Sequence, residues 1–274
     1  MTEETIHAWK GVYPAAPEAP DAEERDPLFV RAAARTMQVL SAFHGAEGPL
    51  SLTDMSKAAG LDRSTTQRII HTLRKLGYIQ RDDRDTGYVP GIRLYDHIFD
   101  TMRLNGLIQR AIPVLLQLRD TVGERVDLSL IDDTRLVYAT RFQPKRDTLY
   151  AMMLGHSVPI YCTSAGWAVL AQLDEAGARD ILERSERVKY TEHTLIDPDA
   201  IIEKTRKLKQ QGYAVAIEQL MPGEIAIGAA ITNPQGKAIG AVTITAMLSD
   251  WSEADFVRTM RPALVQAVNM LGRG

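Results

Sequence analysis

Cysteine is almost missing from the 274-residue chain: the single Cys162 excludes an intrachain disulfide framework and any zinc site built from several cysteines. The fold must therefore hold by packing alone. The histidines His7, His44, His71, His97, His156 and His193 form no i,i+4 pair and have no carboxylate at metal-site spacing, so neither a metal nor a cofactor is expected. No stretch approaches the roughly 18 uninterrupted apolar residues of a membrane span. The start, Met1-Thr2-Glu3-Glu4, lacks the basic and apolar segments of a signal peptide, which points to the cytoplasm and away from a membrane. An excess of one charge is lacking as well. Against 35 Asp and Glu stand 32 Lys and Arg, a formal net charge of -3, so any basic surface must be local. Neither a Gly-x-Ser-x-Gly elbow nor a phosphate-cradling Gly-x-x-x-x-Gly-Lys occurs.

The composition is 45% hydrophobic, and the length suits about two domains. Residues 1–27 are acidic and carry Pro14, Pro17, Pro20 and Pro27 without apolar periodicity, which predicts a flexible tail. Trp9 and Tyr13 within it could dock, although exposure is expected. From Leu28 the spacing of Val30, Ala33, Met37, Leu40 and Phe43 predicts a helix. Ser51 then caps a short second helix with Leu52, Met55, Ala58 and Ala59 inward, stopped by Gly60. A third helix follows within residues 61–77, capped by Asp62 or Ser64, with Ile69, Ile70, Leu73 and Leu76 inward. Two short strands around Asp82-Asp83-Arg84-Asp85-Thr86-Gly87 make a hairpin. Residues 92–105 form a linking helix.

Beyond Gly106, residues 107–122 are helical, with Pro113 kinking the helix or marking a restart. Strand pairs 125–131/136–142 and 224–232/238–245 flank turns at Asp132-Asp133-Thr134 and Asn233-Pro234-Gln235-Gly236. Helices lie at 164–172, 174–185, 197–211 and 252–271. Antiparallel hairpins with helices around them imply an α+β domain rather than a doubly wound parallel sheet.

Three short helices followed by a hairpin make a winged helix-turn-helix, whose second motif helix enters the major groove of DNA. Between Gly60 and Arg81, the cations Arg63, Arg68, Arg74, Lys75 and Arg81 face Asp62 alone. The helix start is the part that reaches bases. Arg63, Thr65, Thr66, Gln67 and Arg68 are therefore the candidate base readers, through guanine O6 and N7, adenine N6 and N7, and the thymine methyl. Ser51, Ser64, Lys75, Arg81 and Arg84 suit phosphates.

The block from Leu50-Ser-Leu-Thr-Asp-Met-Ser-Lys-Ala-Ala-Gly through Leu-Asp-Arg-Ser-Thr-Thr-Gln-Arg-Ile-Ile-His-Thr-Leu-Arg-Lys-Leu-Gly-Tyr-Ile79, with Tyr88-Val-Pro-Gly-Ile-Arg-Leu94 after it, resembles the DNA-binding half of IclR-type bacterial transcription regulators. The order of elements stays similar to about residue 272. The resemblance implies a winged helix-turn-helix domain at 28–90, a linker helix at 91–106 and a GAF-like effector-binding domain with an antiparallel sheet at 107–274. It also implies double-stranded DNA with a palindromic operator as partner, and a homodimer or dimer of dimers. Effector binding would then shift the populations of two arrangements of the winged domains, with half-sites about 34 Å apart or a multiple of that.

The densest candidate for a ligand pocket runs from Tyr150 to Ala171. A helix starting near Thr163-Ser164 offers unpaired backbone N–H groups to a carboxylate, unless those hydroxyls merely cap their own helix. The resemblance raises the first reading and adds Ala165, Thr243 and Thr245. Where sensors of glyoxylate or pyruvate in that family carry an Asp and a Cys, this chain has Ala216 and Ala226, and the frequent Lys is Trp167. Loss of those side chains leaves a roomier cavity, with Tyr150, Met152, Met153, Val158 and Tyr161 as walls. The ligand is then a larger organic acid, aromatic rather than two or three carbons long. The rival class is an enzyme with Cys162 as nucleophile and His156 or His193 as base.

Overall fold

The computed structural model describes residues 11–13, 26–144 and 154–273. Two compact units emerge, Tyr13–Met102 and Arg103–Gly274, the second also taking the short run that ends at Val12.

In the first unit, helix α1 (Arg31–Ser41) begins later than the apolar spacing suggested and turns a different face inward. Val39 and Ala42 are buried, whereas Val30, Ala33 and Met37 are exposed, so the predicted stripe is largely an outer one. Helix α2 (Leu52–Ala59) is bounded as its sequence dictates. Ser51 and Asp54 form a reciprocal capping box, and Gly60 ends the helix at a left-handed φ of 64° that costs glycine little. Met55 and Ala59 are buried; Ala58 is exposed. Helix α3 (Arg63–Lys75) takes Asp62 as its cap, which settles the choice between Asp62 and Ser64. Ile70 and Leu73 enter the small core with Val39, Met55 and Ile79, while Leu76, expected inward, is 57% exposed because the helix ends there.

The wing is the antiparallel pair β1 (Ile79–Arg81) and β2 (Tyr88–Pro90), in which Arg81 faces Tyr88. Its turn is tied by Asp82, whose carboxylate accepts from the Gly87 N–H at 2.7 Å and the Thr86 hydroxyl at 2.9 Å. Tyr88 also exchanges two backbone hydrogen bonds with Leu50, clamping the wing to the chain ahead of α2. Helix α4 (Leu94–Leu104) follows and buries none of its residues. Within the stretch predicted as a tail, Tyr13 is exposed as expected, at 42%, and also stacks its ring on His44 with centroids 4.1 Å apart, while Trp9 lies outside the described residues.

The second unit is a six-stranded antiparallel sheet in the order β5-β4-β3-β8-β7-β6. Its elements are α5 (Gly106–Val122), β3 (Arg125–Asp132), β4 (Arg135–Phe142), β5 (Ser157–Pro159), α6 (Ser164–Leu170), α7 (Glu175–Arg184), α8 (Pro198–Gln211), β6 (Ala214–Ile217), β7 (Glu224–Thr232), β8 (Ala238–Met247) and α9 (Glu253–Leu271). Pro113 lies inside one continuous α5, so it marks no restart. Val12 adds a backbone bond to the rim of the sheet, donating to the Ser157 carbonyl at 3.2 Å.

Strand alternation gives the sheet two unlike faces. Val126, Leu128, Ile225, Ile227, Val242 and Ile244 point to one side, where α5 and α9 cover them with Leu115, Phe256, Met260 and Leu264. The opposite side carries Arg125, Asp127, Ser129, Ala226, Thr243 and Thr245 and is covered by α6. The fit is close: a Cβ on Gly228 would stand 2.5 Å from the Ala165 nitrogen. Only a glycine lets this helix lie so near the strand.

Candidate functional site

The outer face of α3 is rich in cations. Arg63, Ser64, Gln67, Arg68, His71, Thr72, Arg74 and Lys75 are exposed, and among the described residues Arg68, Arg74 and Lys75 have no carboxylate partner. Arg63 donates to Thr53 Oγ1 at 2.7 Å, which ties α3 to α2 across the turn and leaves the rest of the guanidinium outward. Beside the helix lie two open hollows, about 390 Å³ against β1 and about 420 Å³ against Tyr88, both lined by His71 and Arg74. Arg84 stands exposed in the wing turn, and Arg81 pairs with the outward Asp85 at 3.2 Å.

Three residues expected at a nucleic-acid surface are otherwise engaged. Thr66 is fully buried and its hydroxyl donates to the Asp62 carbonyl at 2.9 Å, so it serves the helix rather than a base edge. Thr65 is half-buried, and its hydroxyl and N–H hold the Asp62 carboxyl below the usual carboxylate range. Ser51 gives its hydroxyl proton to Asp54 at 2.6 Å within the capping box, an arrangement that likewise lowers the Asp54 pKa. Sequence reasoning passed over His71, Thr72 and Tyr88, although the i,i+4 spacing of Gln67 and His71 places them on one face.

In the second unit a cavity of about 30 Å³ lies between α6 and the polar face of the sheet. Its lining includes Val158, Thr163, Ser164, Ala165, Ala216, Ala226, Thr243 and Thr245, all expected, together with Arg125, Ser129, Tyr138, Cys162, Gln219, Leu220 and Glu224. The sheet register assembles it, for Arg125 faces Thr245, Thr245 faces Ala226, and Ala226 faces Ala216. Thr163 is a cap, accepting from the Gly166 N–H at 3.0 Å and donating to the Pro159 carbonyl. Ser164 is not: its hydroxyl and that of Ser129 are buried without a hydrogen-bond partner.

Below the cavity runs a charge network. Asp127 is fully buried and accepts from Arg141 Nε at 2.7 Å and Arg125 Nε at 3.2 Å, while Arg125 also reaches Glu224 at 3.2 Å. These carboxylates outweigh the burial that would otherwise lower the Arg125 pKa, and the result is a raised value. Burial pushes the Tyr138 pKa up to about 12.

Some expectations fail here. The cavity as it stands has room for a water or two and is not roomy, because α6 lies flush on Gly228. Tyr161 is fully buried away from it and donates to the Val188 carbonyl at 2.6 Å. Trp167 is also buried, donating from Nε1 to the Tyr161 carbonyl with Lys204 Nζ 4.2 Å from its ring. Tyr150, Met152 and Met153 lie outside the described residues. Cys162 lines the cavity, but burial raises its pKa and favours the thiol over the nucleophilic thiolate. His193, one proposed base, is exposed and pairs with Glu218 at 3.2 Å.

Comparison with known proteins accounts for both units. Residues 32–83 match the IclR helix-turn-helix domain, and residues 100–272 match the family described as bacterial transcriptional regulator IclR C-terminal. The chain belongs to the IclR family of transcriptional regulators. Among its relatives, the Pca regulon regulatory protein of Pseudomonas putida is 26% identical over 88% of this chain and 83% of its own length. The regulator XynR of Escherichia coli is 25% identical over 89% and 97%. The IclR fold recurs in the crystal structure of a regulator from Alicyclobacillus acidocaldarius, with a TM-score of 0.78 at 24% identity, covering 89% of this chain and 98% of that one. It recurs again in an IclR homologue from Microbacterium hydrocarbonoxydans complexed with 4-hydroxybenzoate, with a TM-score of 0.73 at 21% identity over 88% and 97%. The α+β architecture of a winged helix-turn-helix and an antiparallel sheet domain is that of IclR structures.

Proposed function

We propose that this IclR-family regulator binds a palindromic operator in double-stranded DNA, with Arg63, Gln67 and Arg68 on base edges and Ser64, Lys75, Arg81 and Arg84 on phosphates. A small organic acid in the cavity under α6 sets the strength of that binding. In this reading residues 28–90 are the DNA-binding domain, 91–106 the linker and 107–274 the effector-binding domain, and the protein works in the cytoplasm. One observation carries the ligand half: the Ser129 and Ser164 hydroxyls are buried and unpartnered on the wall of a cavity that also holds the Arg125 guanidinium. A buried hydroxyl left unpaired costs about 1–3 kcal/mol, which an entering carboxylate would recover by accepting from it.

Alanine at 216 and 226, with Leu220, gives the lining a small apolar patch, which favours an aromatic acid of the kind held by the Microbacterium homologue. Admitting it requires α6 and the sheet to part, since the closed cavity measures about 30 Å³. That parting is the differential interaction through which a ligand can shift a two-state equilibrium. A thermal-shift screen of 4-hydroxybenzoate and benzoate against pyruvate and glyoxylate tests this. Stabilisation by the short acids alone would refute the aromatic assignment.

The protein acts as a homodimer or as a pair of such dimers. Helix α4 exposes Tyr95, Ile98 and Phe99 along one face and buries nothing in a single chain, and an amphipathic helix of this kind requires a partner surface. Two-fold symmetry then implies half-sites about 34 Å apart or a multiple of that. Sedimentation of a Phe99→Glu variant as a monomer is the expected result. For base reading, Arg63→Ala and Arg68→Ala are each expected to weaken operator binding by about 1–3 kcal/mol.

A further inference from the structure

Tyr88 gathers two arginines that sequence distance keeps apart. Arg81, its partner across the wing ladder, places Cζ 4.5 Å from the ring centroid; Arg74, in the last turn of α3, places Cζ 5.9 Å from it. The strand that carries the ring is pinned, because the Tyr88 backbone donates to Leu50 at 2.8 Å and accepts from it at 3.0 Å, and the half-buried side chain packs against the small core. Like charges held on one small platform repel unless an anion lies between them. The single carboxylate at hand, Asp85, pairs with Arg81 from a 79% exposed position, and Arg74 has no carboxylate partner among the described residues. The hollows of about 390 and 420 Å³ flank Arg74, so space for an anion is present on both sides.

We infer that Arg74 and Arg81 form a phosphate cradle for the backbone of a DNA duplex, and that Tyr88 is its positioning residue. The cradle rests on the DNA-binding reading given above and extends the interface from the start of α3 to its last turn. Planar guanidiniums stack on an aromatic face and present their N–H forks edgewise, the geometry that suits phosphate oxygens. Contacts of this kind are indifferent to base sequence, so their signature is the salt dependence of binding rather than operator preference.

The test uses the full chain and a 30-base-pair duplex of arbitrary sequence, with affinity measured by fluorescence anisotropy across about 50 to 200 mM salt. Arg74→Gln and Arg81→Gln should each flatten the slope of log affinity against log salt by about 0.9, as for one lost phosphate contact. Tyr88→Leu should flatten it by about twice as much, whereas Tyr88→Phe, which keeps the ring, should match the parent protein. Unaltered slopes in Arg74→Gln and Arg81→Gln overturn the cradle, as does a Tyr88→Phe variant as impaired as Tyr88→Leu. Should Tyr88→Leu lose helical circular dichroism, Arg74→Gln decides alone, since its side chain is exposed on the surface of α3. A parent protein that fails to bind the duplex at the lowest salt overturns the DNA-binding reading together with the cradle. Normal parent binding with an unchanged Arg74→Gln slope removes the cradle only.

Discussion

Asp127→Ala is the most informative perturbation of the second unit. The carboxylate is fully buried and its two oxygens take the Arg141 fork at 2.7 and 3.2 Å and Arg125 Nε at 3.2 Å. Arg125 keeps Glu224 when Asp127 is removed, but the Arg141 side chain, only 4% exposed, is left without its anion. Breaking a buried pair from one side costs about 3–5 kcal/mol, a large share of the roughly 5–15 kcal/mol that holds a domain together. The Tyr138 ring, 4.3 Å from Arg141 Cζ, offsets part of this and sets the expectation near the lower bound. At about 2–4 °C per kcal/mol for a unit of this size, the Tm should fall by roughly 6–12 °C. Trp167 and Trp251 both lie in this unit, so their fluorescence during thermal unfolding follows it directly. Asp127→Leu combined with Arg141→Met should recover most of the loss, because the cost arises from a stranded charge rather than a missing attraction. A fall below about 3 °C in the single variant, or a double variant no better than it, would refute that reasoning.

Acid should loosen the winged unit. Hydrogen bonds from Ser51, Thr65 and Gly87 lower the pKa values of Asp54, Asp62 and Asp82 respectively, so the folded state gains stability above the ordinary carboxylate value of 3.8 and loses it as pH falls through the lowered values. Circular dichroism melts from pH 6 to pH 2 should show that loss mainly below pH 4, and Asp82→Asn should blunt it. Gly228→Val is expected to cost about 1–3 kcal/mol and to abolish ligand-induced thermal shifts, because its Cβ would stand 2.7 Å from the Ser164 carbonyl carbon and lift α6. Cys162 should react with a thiol reagent only on unfolding, since the residue is fully buried, and Cys162→Ala should bind the operator as the parent does. Rapid labelling of the native protein would contradict that.

The elements with local signals were legible in the sequence. Ser51 and Gly60 bracket α2 because a hydroxyl at the start and a left-handed glycine at the end satisfy orphan backbone groups, and Asp62 does the same for α3. Asn233-Pro234-Gln235-Gly236 located the β7–β8 hairpin within two residues at either strand. Strands β5 and β6 went unrecognised because three or four residues, mostly apolar, show no alternation to read. The cavity was half legible. Ser164, Ala165, Ala216, Ala226, Thr243 and Thr245 line it as expected, but Arg125, Ser129 and Glu224 enter through strand register, which no local signal encodes. Thr66 misled for the opposite reason, a polar residue whose hydroxyl is consumed within its own helix.

The alternation along β3 has a consequence for how this sheet can change over generations. Even-numbered positions from Val126 to Leu130 anchor the oily layer, and odd-numbered ones from Arg125 to Ser129 face the polar chamber. Substitution at Ser129, whose hydroxyl lines the chamber without a hydrogen-bond partner, can retune which molecule is admitted while the anchoring layer and the ion pairs of Asp127 stay untouched. Inserting or deleting a single residue in the strand would exchange the two sets, driving charge into the oily layer and aliphatic groups into the chamber. New ligand preferences in such a chain should therefore arise by point replacement within β3, with length changes confined to turns such as the one at Asp133.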